Sequence, residues 1–188
     1  MNIDAIKGGA VQYRSAVIES IDADTREMLV KAVPYGIEAD IGGNITEKFL
    51  PGAFARAAKA PHRLNVWAGH GGALVGRGLA VEDRPDGVWV RAKIGRSQAA
   101  TDLLTNIEDD ISKDISIEFQ PMPDFMEIER RGERLFLTHR RAFLLGYAVV
   151  PEGAYGSNAY VASVREDQYE REIEAAKMWL LEYTRRNL

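Results

Sequence analysis

The chain has 188 residues, of which 46% are hydrophobic and 28% charged, which is typical of one domain with its own core. It contains no cysteine, which excludes disulfides, thiolate metal sites and cysteine nucleophiles. A formal net charge of -4 with both signs mixed along the sequence argues against nucleic-acid binding, and no apolar run approaches the roughly 20 residues that span a membrane. The first residues lack the apolar core of a signal peptide, so we expect a soluble protein that is not secreted.

The first elements along the chain are two strands and a short helix. Residues 11–20 and 27–35 are strand-like and flank a turn-rich stretch, which predicts a hairpin. Pro51 precedes an alanine-rich segment that continues to Pro61. Proline is favoured at the first position of a helix and disfavoured inside one, so a short helix is predicted over 51–60.

A second hairpin and a longer helix follow. After an apolar run at 64–70, the alternating segments 74–83 and 87–95 are separated by Arg-Pro-Asp-Gly, a strong turn signal. Ser97 has the hydroxyl oxygen that caps helix N-termini, and a helix is predicted over 97–109.

The next segment, 111–119, has the alternation of a half-buried strand. Ile115 and Ile117 would face the core, and the opposite, polar face would carry Asp114, Ser116 and Glu118. A serine at such a position is most often simply a tolerated small polar group.

The last predicted strands lie at 125–130, 134–140 and 142–150, the first two forming a hairpin. From residue 166 to 188 the pattern changes to that of an amphipathic helix, with one apolar stripe made of Tyr169, Ile173, Ala176, Leu180 and Tyr183. About seven strands with few helices predict a mainly β fold with peripheral helices (α+β), either a barrel or a sandwich. We divide the chain into a β domain, 1–165, and a C-terminal helix, 166–188, that packs on this domain or on a dimer partner.

Three histidines limit the proton acceptors that work near neutral pH: His62, His70 and His139. His70 follows an apolar strand and begins a glycine-rich turn, where its ring would be exposed on a firm support. A lone histidine there is more often a solvated loop residue. The motifs of hydrolase-fold esterases, zincins and P-loop enzymes are absent, and nothing implies a metal or a cofactor.

Several segments, taken in order, resemble the tailed-bacteriophage prohead (capsid maturation) protease family. The resemblance extends from about Ser15 to Arg165 and is carried by EKFLPGAF (47–54), LNVWAGHGGALVGRG (64–78), LAVEDRPDGVWVRAKI (79–94), ISKDISIEF (111–119) and AVVPEGAYGSNAYVASVRE (148–166). It implies an antiparallel β-barrel of about seven strands of the herpesvirus maturational protease type. It also implies a serine endopeptidase that forms an acyl-enzyme.

The resemblance makes Ser116 the nucleophile and His70 its general base. Gly146 stands where related folds carry the third catalytic residue, and glycine cannot orient an imidazole. The substitutes are His139, which a straight strand would place more than about 20 Å from Gly146, and Glu118, about 7 Å from Ser116 along one strand face.

Asp114 flanks Ser116 in the same way as Glu118 and is a further candidate. A Ser-His dyad without a third side chain is the other alternative. The resemblance places the oxyanion donors in the turn after the strand 142–150, near the backbone N–H of Ala154.

The implied substrates are the phage major capsid protein and scaffold, processed inside the prohead in the host cytoplasm. A homodimer through the terminal helix is also implied, and a nucleic-acid or membrane partner is not. The alternative is a catalytically inactive structural or scaffolding protein that retains the protease fold, for which Gly146 is the main support. An unrelated β-barrel binding module would require the ordered motifs to be coincidence.

Overall fold

The computed structural model describes residues 12–22, as backbone, and 25–153. This part of the chain is mainly β, with one α-helix and three short 3₁₀ helices. The strands are β1 (Gln12–Asp22), β2 (Glu27–Pro34), β3 (Ala39–Asp40), β4 (Ile45–Phe49), β5 (Asn65–Ala68), β6 (Leu74–Arg84), β7 (Gly87–Ile94), β8 (Asp114–Pro121), β9 (Met126–Arg131), β10 (Arg134–His139) and β11 (Ala142–Val150). The helices are α1 (Gln98–Glu108) and the 3₁₀ turns Ala55–Lys59, Pro61–Arg63 and Pro123–Phe125.

The main sheet is curled and has the strand order β2-β7-β6-β5-β11-β8. Strand β1 pairs antiparallel with both outer strands: Val17 lies opposite Lys31 of β2, and Ser15 lies opposite Ser116 of β8. The prediction of a mainly β fold is confirmed. The prediction of a purely antiparallel barrel is wrong, because β11 pairs in parallel with β5. These two strands are far apart in the sequence, so no tight turn imposes opposite directions on them.

Four strands form a second sheet, in the order β3-β4-β10-β9, that sequence analysis did not separate from the first. Its strand β10 runs parallel to β4 and antiparallel to β9. Ile45 and Leu137 form a small core of their own, separate from the main core, against which Ile41, Met126 and Leu135 pack. The chain therefore passes through the second sheet twice, between β2 and β5 and again between β8 and β11.

Aromatic side chains join the two sheets. Phe49, at the end of β4, lies 5.0 Å from Phe54 and 5.1 Å from Phe119 of β8, measured between ring centroids. All three rings are fully buried and belong to the main core. The second sheet is thus anchored to the face of β8 opposite that of Ser116.

Most local predictions agree with the structure. The hairpins β1-β2, β6-β7 and β9-β10 are present, and the Ser97 hydroxyl accepts a hydrogen bond of 3.2 Å from the Ala100 N–H at the start of α1. The helix predicted over 51–60 is instead a 3₁₀ turn. Gly52, with φ of +84°, and Pro61 leave too few residues for an α-helix. The helix predicted over 166–188 and the boundary at 165 lie outside the described residues.

A buried polar pair lies where the sheets meet. His139 Nε2 and Glu47 Oε1 are 2.8 Å apart, and both side chains are fully inaccessible to solvent. The His139 ring stacks on Phe49 with centroids 5.0 Å apart and meets Phe119 edge-on at 5.5 Å. His139 Nδ1 has no hydrogen-bond partner among the described residues. The contact with Glu47 therefore offsets the free-energy cost of burying the polar His139 ring.

Replacing Glu47 with alanine should lower the free energy of unfolding by about 2–4 kcal/mol, because both ring nitrogens of His139 would then be buried without a partner. Chemical denaturation measures the change. Glu127→Ala is the matched control, since it removes an exposed carboxylate paired with Arg140 and should cost at most about 1 kcal/mol. Equal losses in the two variants would contradict a special role for the buried pair.

Candidate functional site

His70 lies in a tight glycine turn that is attached directly to β11. The N–H of Gly69 donates a hydrogen bond of 3.0 Å to the Val149 carbonyl, and the N–H of Gly72 donates one of 3.3 Å back to the Gly69 carbonyl. Gly69 and Gly71 have φ of +79° and +67°, the left-handed region that favours glycine. The glycines therefore form a turn that holds the exposed His70 beside β11.

The His70 turn forms one side of a cleft of about 250 Å³. The cleft is lined by Trp67, Gly69, His70, Gly71, Gly72, Glu118 and Ala148. The structure thus brings two residues singled out in the sequence, His70 and Glu118, to one surface depression. They come from different parts of the chain: His70 lies in the turn after β5, and Glu118 lies on β8.

Ser116 lies on the outer face of β8. Ile115 and Ile117 on either side of it are fully buried in the main core, as their alternation predicted. Ser116 lies opposite Ala148 of β11 in the strand register, and Ala148 is part of the cleft floor. Ser116 is only 3% exposed to solvent. Ser116 is therefore the cross-strand neighbour of a cleft residue, although it does not line the cleft itself.

A hydrogen bond crosses over β11 at this point. The indole N–H of Trp67, on β5, donates to Glu118 Oε2 on β8 over 3.3 Å. Strands β5 and β8 lie on opposite sides of β11, so the two side chains span two strand spacings, about 9–10 Å. They can meet because β11 presents only Gly146 and Ala148 beneath them.

Gly146 is also required by close packing of the backbones. A Cβ atom added to it would lie 2.5 Å from the Asn65 carbonyl oxygen and 3.1 Å from the Asn65 nitrogen. Any larger residue here would have to push β11 away from β5. The position that should hold the third catalytic residue, by the resemblance described above, therefore cannot carry a side chain in this arrangement.

The other substitutes for a third residue are located as follows. His139 is in the buried pair with Glu47 and is not among the cleft residues. Asp114 is the first residue of β8, where its Oδ2 accepts a hydrogen bond of 2.8 Å from the Gly153 N–H. Burial raises the pKa of the Asp114 carboxyl, while the Gly153 N–H opposes this. Ala154, the expected oxyanion residue, lies outside the described residues.

Sequence reasoning missed Trp67. The alternation of β5 indicates its position in retrospect, because Val66 is fully buried and Trp67 therefore faces outward. Its donation to Glu118 restrains one carboxylate oxygen, and the other oxygen has no hydrogen-bond partner among residues 25–153. Among the described side chains, Glu118 thus offers a carboxylate held at one oxygen in the cleft that His70 lines.

Metal sites and membrane-spanning helices are both absent from the described part of the chain. No group of three or more histidine or acidic side chains there has the arrangement of a metal site. None of the helices in that part is long and apolar enough to cross a membrane.

Comparison with known proteins finds a similarity of fold. No family model matches the sequence, and no curated protein matches it. The structure is similar to that of the bacteriophage T4 capsid assembly protease, gp21, with a TM-score of 0.48 and 8% sequence identity. The similarity covers 74% of this chain and 96% of that chain. A likeness of this size leaves function to be argued from the residues themselves.

Replacing Gly146 with alanine should lower the free energy of unfolding by about 1–3 kcal/mol, because the added Cβ would overlap the Asn65 backbone. The same change should weaken the Trp67–Glu118 contact and shift the tryptophan fluorescence. Thermal denaturation and emission spectra measure both effects. An unchanged melting temperature would mean that β11 and β5 can separate at no cost.

Proposed function

We propose that the chain is a serine endopeptidase in which Ser116 is the nucleophile and His70 the general base. The observation that carries this proposal is the cleft that His70 and Glu118 line together with Ala148, the cross-strand neighbour of Ser116. Directly opposite residues in a sheet have Cβ atoms about 4.5–5.5 Å apart, which puts the Ser116 position next to the cleft floor. The ordered sequence motifs around both residues support the same assignment.

The reaction follows from these two side chains. Ser116 Oγ attacks the carbonyl carbon of the scissile peptide bond while His70 takes its proton. The C–N bond then breaks, and His70 gives the proton to the leaving amine, which leaves an ester on Ser116. Water, deprotonated by His70, hydrolyses that ester and restores the serine.

Glu118 is proposed to orient His70 in place of a third residue at Gly146. The carboxylate is held by Trp67, so it does not have to be ordered when substrate binds. A carboxylate beside the ring would stabilise the imidazolium that forms during attack. The oxyanion donors are proposed to lie near Ala154, in the turn that follows β11.

The substrates are proposed to be the phage major capsid protein and scaffold, processed inside the prohead in the host cytoplasm. This rests on the resemblance of the motifs around His70 and Ser116 to prohead proteases of the herpesvirus type. A homodimer through residues 166–188 is proposed on the same ground and on the apolar stripe of that segment.

A non-catalytic structural or scaffolding protein is the second candidate. Two observations favour it: Gly146 admits no third catalytic side chain, and Ser116 is almost fully buried. The experiment below separates the two functions.

A fluorophosphonate probe should add one covalent label to the wild-type chain at Ser116, read by intact mass and peptide mapping. Ser116→Ala and His70→Ala should both abolish the label, because one removes the nucleophile and the other its base. Ser112→Ala, at another buried serine just before β8, and His62→Ala, at an exposed histidine, are the matched controls and should keep it. Absence of label on the folded wild-type protein would favour the structural role.

Glu118→Gln should slow labelling less than His70→Ala does, since the amide oxygen can still accept from Trp67 but carries no charge. Labelling should fall on acidification in both wild type and variant because a protonated imidazole cannot accept the serine proton. Equal labelling rates in the Glu118→Gln variant and the wild-type chain would exclude Glu118 as the residue that orients His70.

A further inference from the structure

A second and larger depression, of about 520 Å³, lies between the 3₁₀ helices that follow β4 and the first half of β11. We call it the basic groove. Its rim carries Arg56, Lys59 and Arg63, its floor includes Phe143 and Leu145 of β11, and Gln120 of β8 also lines it.

The charges of the basic groove are not neutralised by the described protein. Arg56, Lys59 and Arg63 line it without any acidic side chain among the lining residues. None of the three forms an ion pair with a described carboxylate, whereas exposed cations such as Arg131 and Arg140 do. Three positive charges that have no ion-pair partner in the described part of the chain create a local field that attracts a negatively charged group.

The floor of the basic groove is apolar. Phe143 is 38% exposed, with the Arg56 guanidinium 5.6 Å from its ring centroid, and Leu145 is half-buried. A small inorganic anion would leave this apolar surface in water. A peptide with acidic and apolar side chains would satisfy both the rim and the floor.

The basic groove continues the outer face that carries the cleft. Gln120 follows Glu118 on this face of β8, and Phe143 of β11 lies opposite Gln120 in the register. From Ala148 to Phe143 the distance along β11 is roughly 13–17 Å, the length of four or five residues of an extended peptide. One polypeptide can therefore occupy the cleft and the basic groove at the same time.

We propose that the basic groove binds a segment with acidic and apolar side chains in the polypeptide that Ser116 cleaves, several residues away from the scissile bond. This assignment rests on the proposed peptidase function for the identity of the occupant. The charge and the apolar floor define its chemistry. The groove would select substrates by a segment that the catalytic residues do not touch.

Binding is tested with Ser116→Ala protein, so that no cleavage occurs, and a fluorescein-labelled 12-residue peptide of alternating Glu and Leu. A second peptide has Gln in place of each Glu. Fluorescence anisotropy should give a dissociation constant at least about tenfold lower for the Glu peptide, and added salt should reduce the difference.

The groove variant combines Arg56→Gln, Lys59→Gln and Arg63→Gln and should lose this preference. The matched control changes three exposed arginines outside the groove, Arg91, Arg96 and Arg130, to glutamine, and should keep it. Circular dichroism verifies that both remain folded. Equal binding of the two peptides to the unsubstituted groove, or an equal loss in both triple variants, would overturn the proposal.

The fluorophosphonate label separates this inference from the proposed function. If Ser116 is labelled but the Glu peptide is not preferred, the basic groove is not a substrate site, and the proposed peptidase function still stands. Glu preference without any label on the wild-type chain overturns the assignment of the occupant as a substrate. A label on Ser116 together with a preference for the Glu peptide supports both the peptidase and the basic groove as its substrate site.

Discussion

The close approach of β5 and β11 at Asn65 and Gly146 is the contact on which the candidate site depends. Because Gly146 has no side chain, the two backbones pack closely and nothing rises above β11 at this point. Trp67 and Glu118 can then meet across the strand, and the His70 turn is joined to the end of the same strand pair. One glycine therefore controls the distance between the elements that carry the proposed base and its carboxylate.

The two faces of β8 carry different kinds of residues. The inner face carries Phe119, which packs against Phe49 of the second sheet and against the ring of His139. The outer face carries Ser116 and Glu118. Rigid aromatic packing behind the strand restrains the polar residues in front of it, as a positioned nucleophile requires. The buried polar contact of His139 with Glu47 belongs to this support.

The outer face also has a gradient of charge. At the cleft it presents a carboxylate held by an indole, whereas beside the start of β11 the 3₁₀ helices place three cations that have no ion-pair partner among the described residues. A polypeptide lying along β8 and β11 would meet the proposed catalytic groups at one end and a cationic surface at the other. Chemistry and selection of the substrate would then be assigned to different parts of one face.

Local features of this protein could be derived from its sequence, and long-range pairings could not. The alternation around Ser116, the glycine turn at His70 and the cap at Ser97 depend on neighbours in the chain, so pattern and turn chemistry predict them. Trp67 and Glu118 are 51 positions apart, and their contact depends on which strands become neighbours. The parallel pairing of β5 with β11, the second sheet and the basic groove likewise depend on tertiary packing, because no local propensity specifies which distant strands pair.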